Sequence, residues 1–212
     1  MPCPGTGYRI WPLTGLQPRR PVGKARAPTP KWERTDVPWI SQHQSNWCWA
    51  SCCEAFTAFY QKKIKSQHEY LLLVGQGDQY QNSFAQRAHG GTDRPLNSTA
   101  APVEYAPLLA QILGVQEQEL LTHQYAGGHN QRYTQEQMMR ALAAGRIFLV
   151  GAAGHCMVLC GYDKDRGGKD GGLYYMDPSV ANYIFEPWET YTTSATTMVW
   201  LSQAAHARLK TT

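Results

Sequence analysis

Between Trp49 and Tyr60 the apolar residues Trp49, Cys52, Cys53, Phe56, Phe59 and Tyr60 recur at i, i+3, i+4, i+7, i+10 and i+11, the spacing of an α-helix with one buried face. The pattern predicts a helix of about three turns. Ser66 and Glu69 form a capping-box pair that opens a shorter helix through Tyr70 to Val74, closed by Gly75. From Gly75 to Ala101 the chain is rich in Gly, Gln, Asn and Asp and reads as a long irregular connection. Ala106 to Leu113 is expected to be a short helix, with Pro107 in the first turn, where its missing N–H is no loss. Thr134 with Gln137 caps another helix, Gln135 to Ala144, which ends at Gly145. After that the periodicity changes. "RIFLVG", "HCMVLCGYD", "GLYYMDP", "NYIFEP" and "TTMVWLS" are short β-rich runs separated by Gly, Asp, Asn and Pro, as in an antiparallel sheet. Helices followed by strands predict an α+β fold.

The first thirty residues follow neither period. They hold seven of the thirteen prolines, and "QPRRPVGKARAPTP" has no apolar repeat at 2 or 3.6 residues. This segment, residues 1–31, is expected to be a disordered or loosely attached leader, with the globular part covering 32–212. The net charge of +4 also belongs to the leader: Met1 to Arg34 carries seven Lys or Arg against the single acid Glu33, and the remainder is slightly acidic. No basic stripe interleaved with aromatics enters the body, so nucleic acid is not an expected partner. Nowhere do 18 consecutive apolar residues occur, so no membrane span is expected. The first residues lack the apolar core of a secretory signal, so export by the general secretory route is not supported. A chain of 212 residues is expected to hold one domain plus the tail.

Six cysteines are too sparse for a disulfide scaffold. Cys52 and Cys53 are helix neighbours, and Cys156 and Cys160 share a strand at a spacing well beyond the roughly 7 Å limit for a bridge. Reduced thiols are expected. A thiol is a good nucleophile only as thiolate, which a helix N-terminus and a nearby imidazolium favour. Among the six, Cys48 alone stands where a helix begins; Cys52 and Cys53 lie on the apolar stripe, where a thiol is inert. Attack on an amide also needs donors for the developing oxyanion, which the backbone N–H of the nucleophile and one side-chain amide can supply. Gln42 stands six residues before Cys48.

Gln42, Cys48 and Trp49 in the pattern Q-x5-C-W resemble the surroundings of the nucleophile in papain-like cysteine proteases. "VPWISQHQSNWCWASCCEAF" resembles in particular the bacterial branch of that clan, the secreted avirulence-type effector proteases of plant-associated bacteria and the bacteriocin-leader-type peptidases related to them. Two downstream segments extend the resemblance. His155 in "GHCMVLCGYD" is similar to the family's G-H-[apolar]-V-[apolar]-x-G-Y-D histidine segment, and Asp177 in "LYYMDPSV" to its orienting D-P position. "TQEQMMRALAAGRIFLV" is similar to the helix that leads through G-R-P into the sheet, with Ile147 in place of the usual Pro.

The resemblance implies a papain-like fold, a helical subdomain packed on an antiparallel sheet, and a Cys48, His155, Asp177 triad with Gln42 and the Cys48 N–H as oxyanion donors. It implies hydrolysis of a peptide bond through a thioester, in a monomer without cofactor, delivered by a specialised bacterial system into a recipient cell. The substrate would be a protein of that cell. A cognate immunity or inhibitor protein and a prolyl isomerase of the host are the other partners it suggests. Asn182 is an alternative orienter, and Asp163 reads as a turn residue. His43, in the active loop, and Trp47 and Trp49, around the nucleophile, are candidates for packing or for the substrate cleft. Cys48, Cys52, His155 and Cys156 are a conceivable metal set, but Cys52 belongs to the buried stripe and no second ligand pair is well placed, so no metal is expected. Two rival functions stay open: amidase, deamidase or transglutaminase chemistry, such as a peptidoglycan amidase toxin used against competing bacteria, passing through the same thioester, and a non-catalytic binding module of the same fold.

Overall fold

The strongest helical pattern in the sequence becomes α1, Cys48–Gln61. The computed structural model describes residues 31–43, 46–61, 66–67, 69–70, 106–124, 134–152 and 154–211. The leader up to residue 30, the Gly75–Ala101 connection and the continuation of the Ser66 helix past Tyr70 lie outside the described residues. The start of that helix is described: the Glu69 carboxylate accepts from the Ser66 N–H at 2.7 Å, and the Ser66 hydroxyl accepts from the Glu69 N–H at 3.3 Å, which is the expected capping box.

A sheet of seven strands forms the centre. Its strands are β1 (Trp32–Arg34), β2 (Leu120–Gln124), β3 (Phe148–Ala152), β4 (His155–Asp163), β5 (Gly172–Asp177), β6 (Asn182–Pro187) and β7 (Ala195–Leu201). The order is β2-β7-β3-β4-β5-β6, with β1 added on β4, and every pairing is antiparallel. The remaining helices are α2 (Ala106–Leu113), α3 (Gln135–Ala143), α4 (Trp188–Ser194) and α5 (Gln203–Lys210). The expected α+β class with an antiparallel sheet is what the fold shows. Among the described residues no helix is long and apolar enough to cross a membrane.

The continuous apolar runs have a simple cause: the central strands are covered on both faces. Cys156, Val158 and Cys160 of β4, with Leu149 and Val199, pack against α1 and α2. Met157 and Leu159, with Phe148, Val150, Met198 and Trp200, face Met138, Met139 and Leu142 of α3 and Tyr191 of α4. A bulge between Leu159 and Gly161 reverses the parity, so Tyr162 joins the second group. Gly161 is fixed by a neighbour: a Cβ there would meet the Glu33 carbonyl oxygen at 2.5 Å and Arg34 Cα at 2.8 Å, which would push β1 off β4. The helices therefore do not all lie on one side of the sheet, since α3 and α4 cover the face opposite α1.

The structure also changes the picture of α1. A helix with one buried face was expected, yet every residue from Cys48 to Ala58 is buried, because the helix is enclosed by β4, β3, α2 and α5. Its polar side chains have internal partners, as burial demands. The Ser51 hydroxyl donates to the Ile40 carbonyl at 2.6 Å and the Thr57 hydroxyl to the Cys53 carbonyl at 2.9 Å. The segregation of helices before strands is also incomplete, with β2 ahead of α3, α4 between β6 and β7, and α5 behind the last strand. Helix α5 is held by the buried His206, whose Nδ1 accepts from the Tyr60 hydroxyl and whose Nε2–H donates to the Ala144 carbonyl, both at 3.1 Å.

Candidate active site

Three chain ends meet at one edge of the layer between α1 and the sheet. Cys48 is the first residue of α1, His155 the first of β4 and Asp177 the last of β5. Antiparallel pairing of β4 with β5 sets the start of one beside the end of the other, and α1 packs on β4. The Cys52 thiol donates to the Cys156 carbonyl at 3.2 Å, one turn along the helix from Cys48 and one residue along the strand from His155. That bond registers the helix against the strand.

Helix α1 begins by accepting the Ser51 N–H on the Trp47 carbonyl at 3.0 Å. The Cys48 N–H is thus one of the donors a helix leaves without an intrahelical partner. No acidic residue occupies the first turn, so the positive end of the helix dipole acts on the thiol undiminished. Cys48 is 4% exposed.

His155 Nε2 donates to Asp177 Oδ1 at 2.8 Å, and the Cys48 thiol is a second hydrogen-bond partner of the same ring. With Nε2 committed to the carboxylate, Nδ1 is the nitrogen left for sulfur. The bond to Asp177, then the bond to Cys48, push the His155 pKa up to about 10 against the opposing effect of burial. The ring is therefore imidazolium at neutral pH. Burial pushes the Asp177 carboxyl up, but the bonds from His155 and from Ser179 outweigh it, and its pKa ends below the ordinary value. Ser179 contributes twice: its N–H at 2.8 Å and its hydroxyl at 2.7 Å both donate to Asp177 Oδ1. Three donors on one oxygen keep the carboxylate ionised and fixed.

The loop before α1 is tied to the same place. The Gln42 N–H donates to the Pro178 carbonyl at 3.0 Å, beside Asp177, so the half-buried Gln42 shares a boundary with the histidine–carboxylate pair. The set comprises a thiol at a helix N-terminus, an imidazolium at hydrogen-bonding distance, a carboxylate that orients the ring, and an amide-bearing loop alongside. Such a group can carry out nucleophilic acyl transfer.

Family comparison agrees with the geometry. The peptidase C39-like family matches residues 34–203. The chain belongs to that family. Membership brings the papain-like fold and a cysteine-peptidase type of function. No curated protein matches the chain.

The other sequence candidates fall in different places. Trp47 and Trp49 are buried, Trp49 completely, and pack in the core with α1. His43 is exposed in the loop. Asn182 lies opposite Asp177 across the β5–β6 pair, is exposed, and accepts the Tyr183 N–H at 2.8 Å; the carboxylate on His155 is Asp177. Asp163 accepts the Asp165 N–H at 2.9 Å in a turn. Among the described residues no group of three or more His, Cys, Asp or Glu is arranged to hold a metal ion.

Sequence reasoning missed Ser179, Ser51 and Gln67. Ser179 had a local signal, the D-x-S spacing in which a serine two residues on bonds back to the aspartate. The two others act across the fold and left none.

The thiols should separate in reactivity. Burial, foremost, holds the Cys52 and Cys53 pKa values well above the usual thiol range, and both residues are completely buried. Iodoacetamide should alkylate Cys48 first, with Cys52 and Cys53 much slower, as read by peptide mass spectrometry. Labelling of Cys52 and Cys53 at the rate of Cys48 would remove the case for a thiolate at the helix start.

Proposed function

We propose that the protein is a cysteine endopeptidase in which Cys48, His155 and Asp177 act as nucleophile, acid–base and orienter. The single observation that carries this reading is the His155–Asp177 hydrogen bond with the Cys48 thiol as the ring's second hydrogen-bond partner. In acylation, Cys48 Sγ bonds to the scissile carbonyl carbon, and the carbonyl oxygen takes the negative charge between the Cys48 N–H and the Gln42 side-chain amide. His155 gives its proton to the leaving amine as the C–N bond breaks, leaving a thioester on Cys48. Water then loses a proton to His155, attacks the thioester carbon and expels the thiolate, which restores the starting pair and releases the acid.

The biological setting we propose is delivery by a specialised bacterial secretion system into a recipient cell, where a protein is cut. The support is the resemblance of the Val37–Phe56 stretch and of the His155 and Asp177 contexts to effector proteases, with the basic, proline-rich composition of the leader. The test is to express the wild type and Cys48→Ala in bacterial and in eukaryotic cytosol and compare protein N-termini across the proteome. New N-termini only with the wild type are expected. Their absence from both hosts, with lysis appearing only after periplasmic targeting, would mean that the thioester chemistry serves a cell-wall amidase.

A further inference from the structure

Residues Ile40 to His43 form no helix or strand, yet each is held. The Ile40 carbonyl accepts from the Ser51 hydroxyl at 2.6 Å, and the Gln42 N–H donates to the Pro178 carbonyl at 3.0 Å. The residues on either side of Gln42 are gripped by one side chain. Gln67 Nε2 donates to the Ser41 carbonyl at 2.8 Å, and Gln67 Oε1 accepts the His43 N–H at 2.9 Å. Gln67 is completely buried, and its Nε2 also donates to Glu54 Oε2 at 3.2 Å. Glu54 is 9% exposed and lies on α1, the helix that begins at Cys48.

This arrangement demands a primary amide. One end must donate to two oxygens and the other must accept from an N–H, so a carboxylate lacks the donors and an ammonium lacks the acceptor. The Glu54 carboxylate beside Nε2 also fixes which way round the amide lies. Leaving such groups buried without partners is costly, so the bracket closes in one way only.

We propose that Gln67 is a positioning residue: by clamping Ser41 and His43 it sets where the Gln42 side chain stands relative to Cys48, and so sets the strength of the oxyanion site. The inference rests on the peptidase reading above. Oxyanion donors are worth about 10²- to 10³-fold in kcat, and a displacement of about 1 Å forfeits much of that. Gln67 acts on this step without touching the substrate. Attack on an alkyl halide builds no oxyanion, so alkylation of Cys48 does not depend on the bracket.

The test uses the full chain and the tetrapeptidyl-coumarylamide that the wild type cleaves fastest in a complete positional library. Gln67→Met, of equal length and without hydrogen-bonding groups, should lower kcat by about 10- to 100-fold with KM within about threefold. The rate of Cys48 alkylation by iodoacetamide should stay within about twofold of wild type. In a Gln42→Ala background the same change should lower kcat by no more than about twofold, because the group it positions is already gone. Should Gln67→Met fail to fold, Gln67→Leu, which also removes both donors and the acceptor and adds no charge beside Glu54, carries the same expectations. Unchanged kcat in Gln67→Met, full additivity with Gln42→Ala, or a parallel loss of kcat and alkylation overturns the inference alone. A wild type that cleaves no library member while Cys48 is alkylated normally overturns the peptidase reading, and this inference with it.

Discussion

Replacing Cys48 with alanine is expected to lower the proposed peptide-bond hydrolysis by about 10⁴-fold or more, with a melting temperature within a few degrees of wild type. The size of the effect follows from chemistry: without sulfur there is no atom to form the thioester, and what remains is only the help of the oxyanion donors and of binding. The fold survives because little is removed. Cys48 is the first residue of α1 and its thiol contacts His155 at the edge of the core, so losing one atom leaves a small void worth about 1 kcal/mol. His155 keeps its stronger partner, Asp177. Hydrolysis assayed beside a thermal melt decides the matter, and full activity in folded Cys48→Ala would falsify the nucleophile assignment.

Asp177→Ala is expected to reduce kcat/KM by about 10²- to 10⁴-fold and to pull in the alkaline limb of the pH profile. The carboxylate is the largest cause of the raised His155 pKa of about 10. In the wild type the imidazolium therefore persists through neutral and mildly alkaline pH, and activity should fall only as pH rises toward that value. With the carboxylate gone, the ring returns toward the ordinary imidazole value of about 6.5, and the limb moves down with it. The same pair leaves its sign on stability. The His155 contribution is fully present below about pH 6.5 and is lost as pH climbs through about 10; the Asp177 contribution is present above the ordinary carboxyl value of about 3.9 and is lost as pH falls below it. A kcat/KM profile with an unmoved alkaline limb in Asp177→Ala would show that the carboxylate does not govern the ring.

Ser179 and Gln67 show where reading a sequence stops. Each supports a group that the sequence does identify: Ser179 the Asp177 carboxylate, Gln67 the loop of Gln42. The first is two residues from its partner, and the second is 24 or more from the loop it grips. A short side chain next to an aspartate leaves a local spacing to recognise, whereas a glutamine on another helix has none.

Local rules were enough for α1, α2 and α3, for the five runs that become β3 to β7, and for the thiol at a helix start, because capping pairs and apolar periods act within a few residues. The same rules passed over β1 and β2. Both are short edge segments, and β1 owes its place to the missing Cβ of Gly161. Helix α5 was also passed over, being anchored by the bonds of His206 to Tyr60 and Ala144 rather than by a broad apolar stripe.

By itself the sequence determined the class of fold, the helix that carries Cys48 and the contexts of His155 and Asp177. The tertiary structure alone decided that α1 is enclosed on nearly all sides, that Trp47 and Trp49 belong to the core, and that Asp177 rather than Asn182 meets the histidine. It also decided the His155 charge state, since a proton is held there by two partners that lie 22 and 107 residues away along the chain. Periodicity reports which residues leave water, but not what they meet when they do so; hydrogen-bond partners and the pKa shifts they cause exist only once the chain ends of α1, β4 and β5 are brought together.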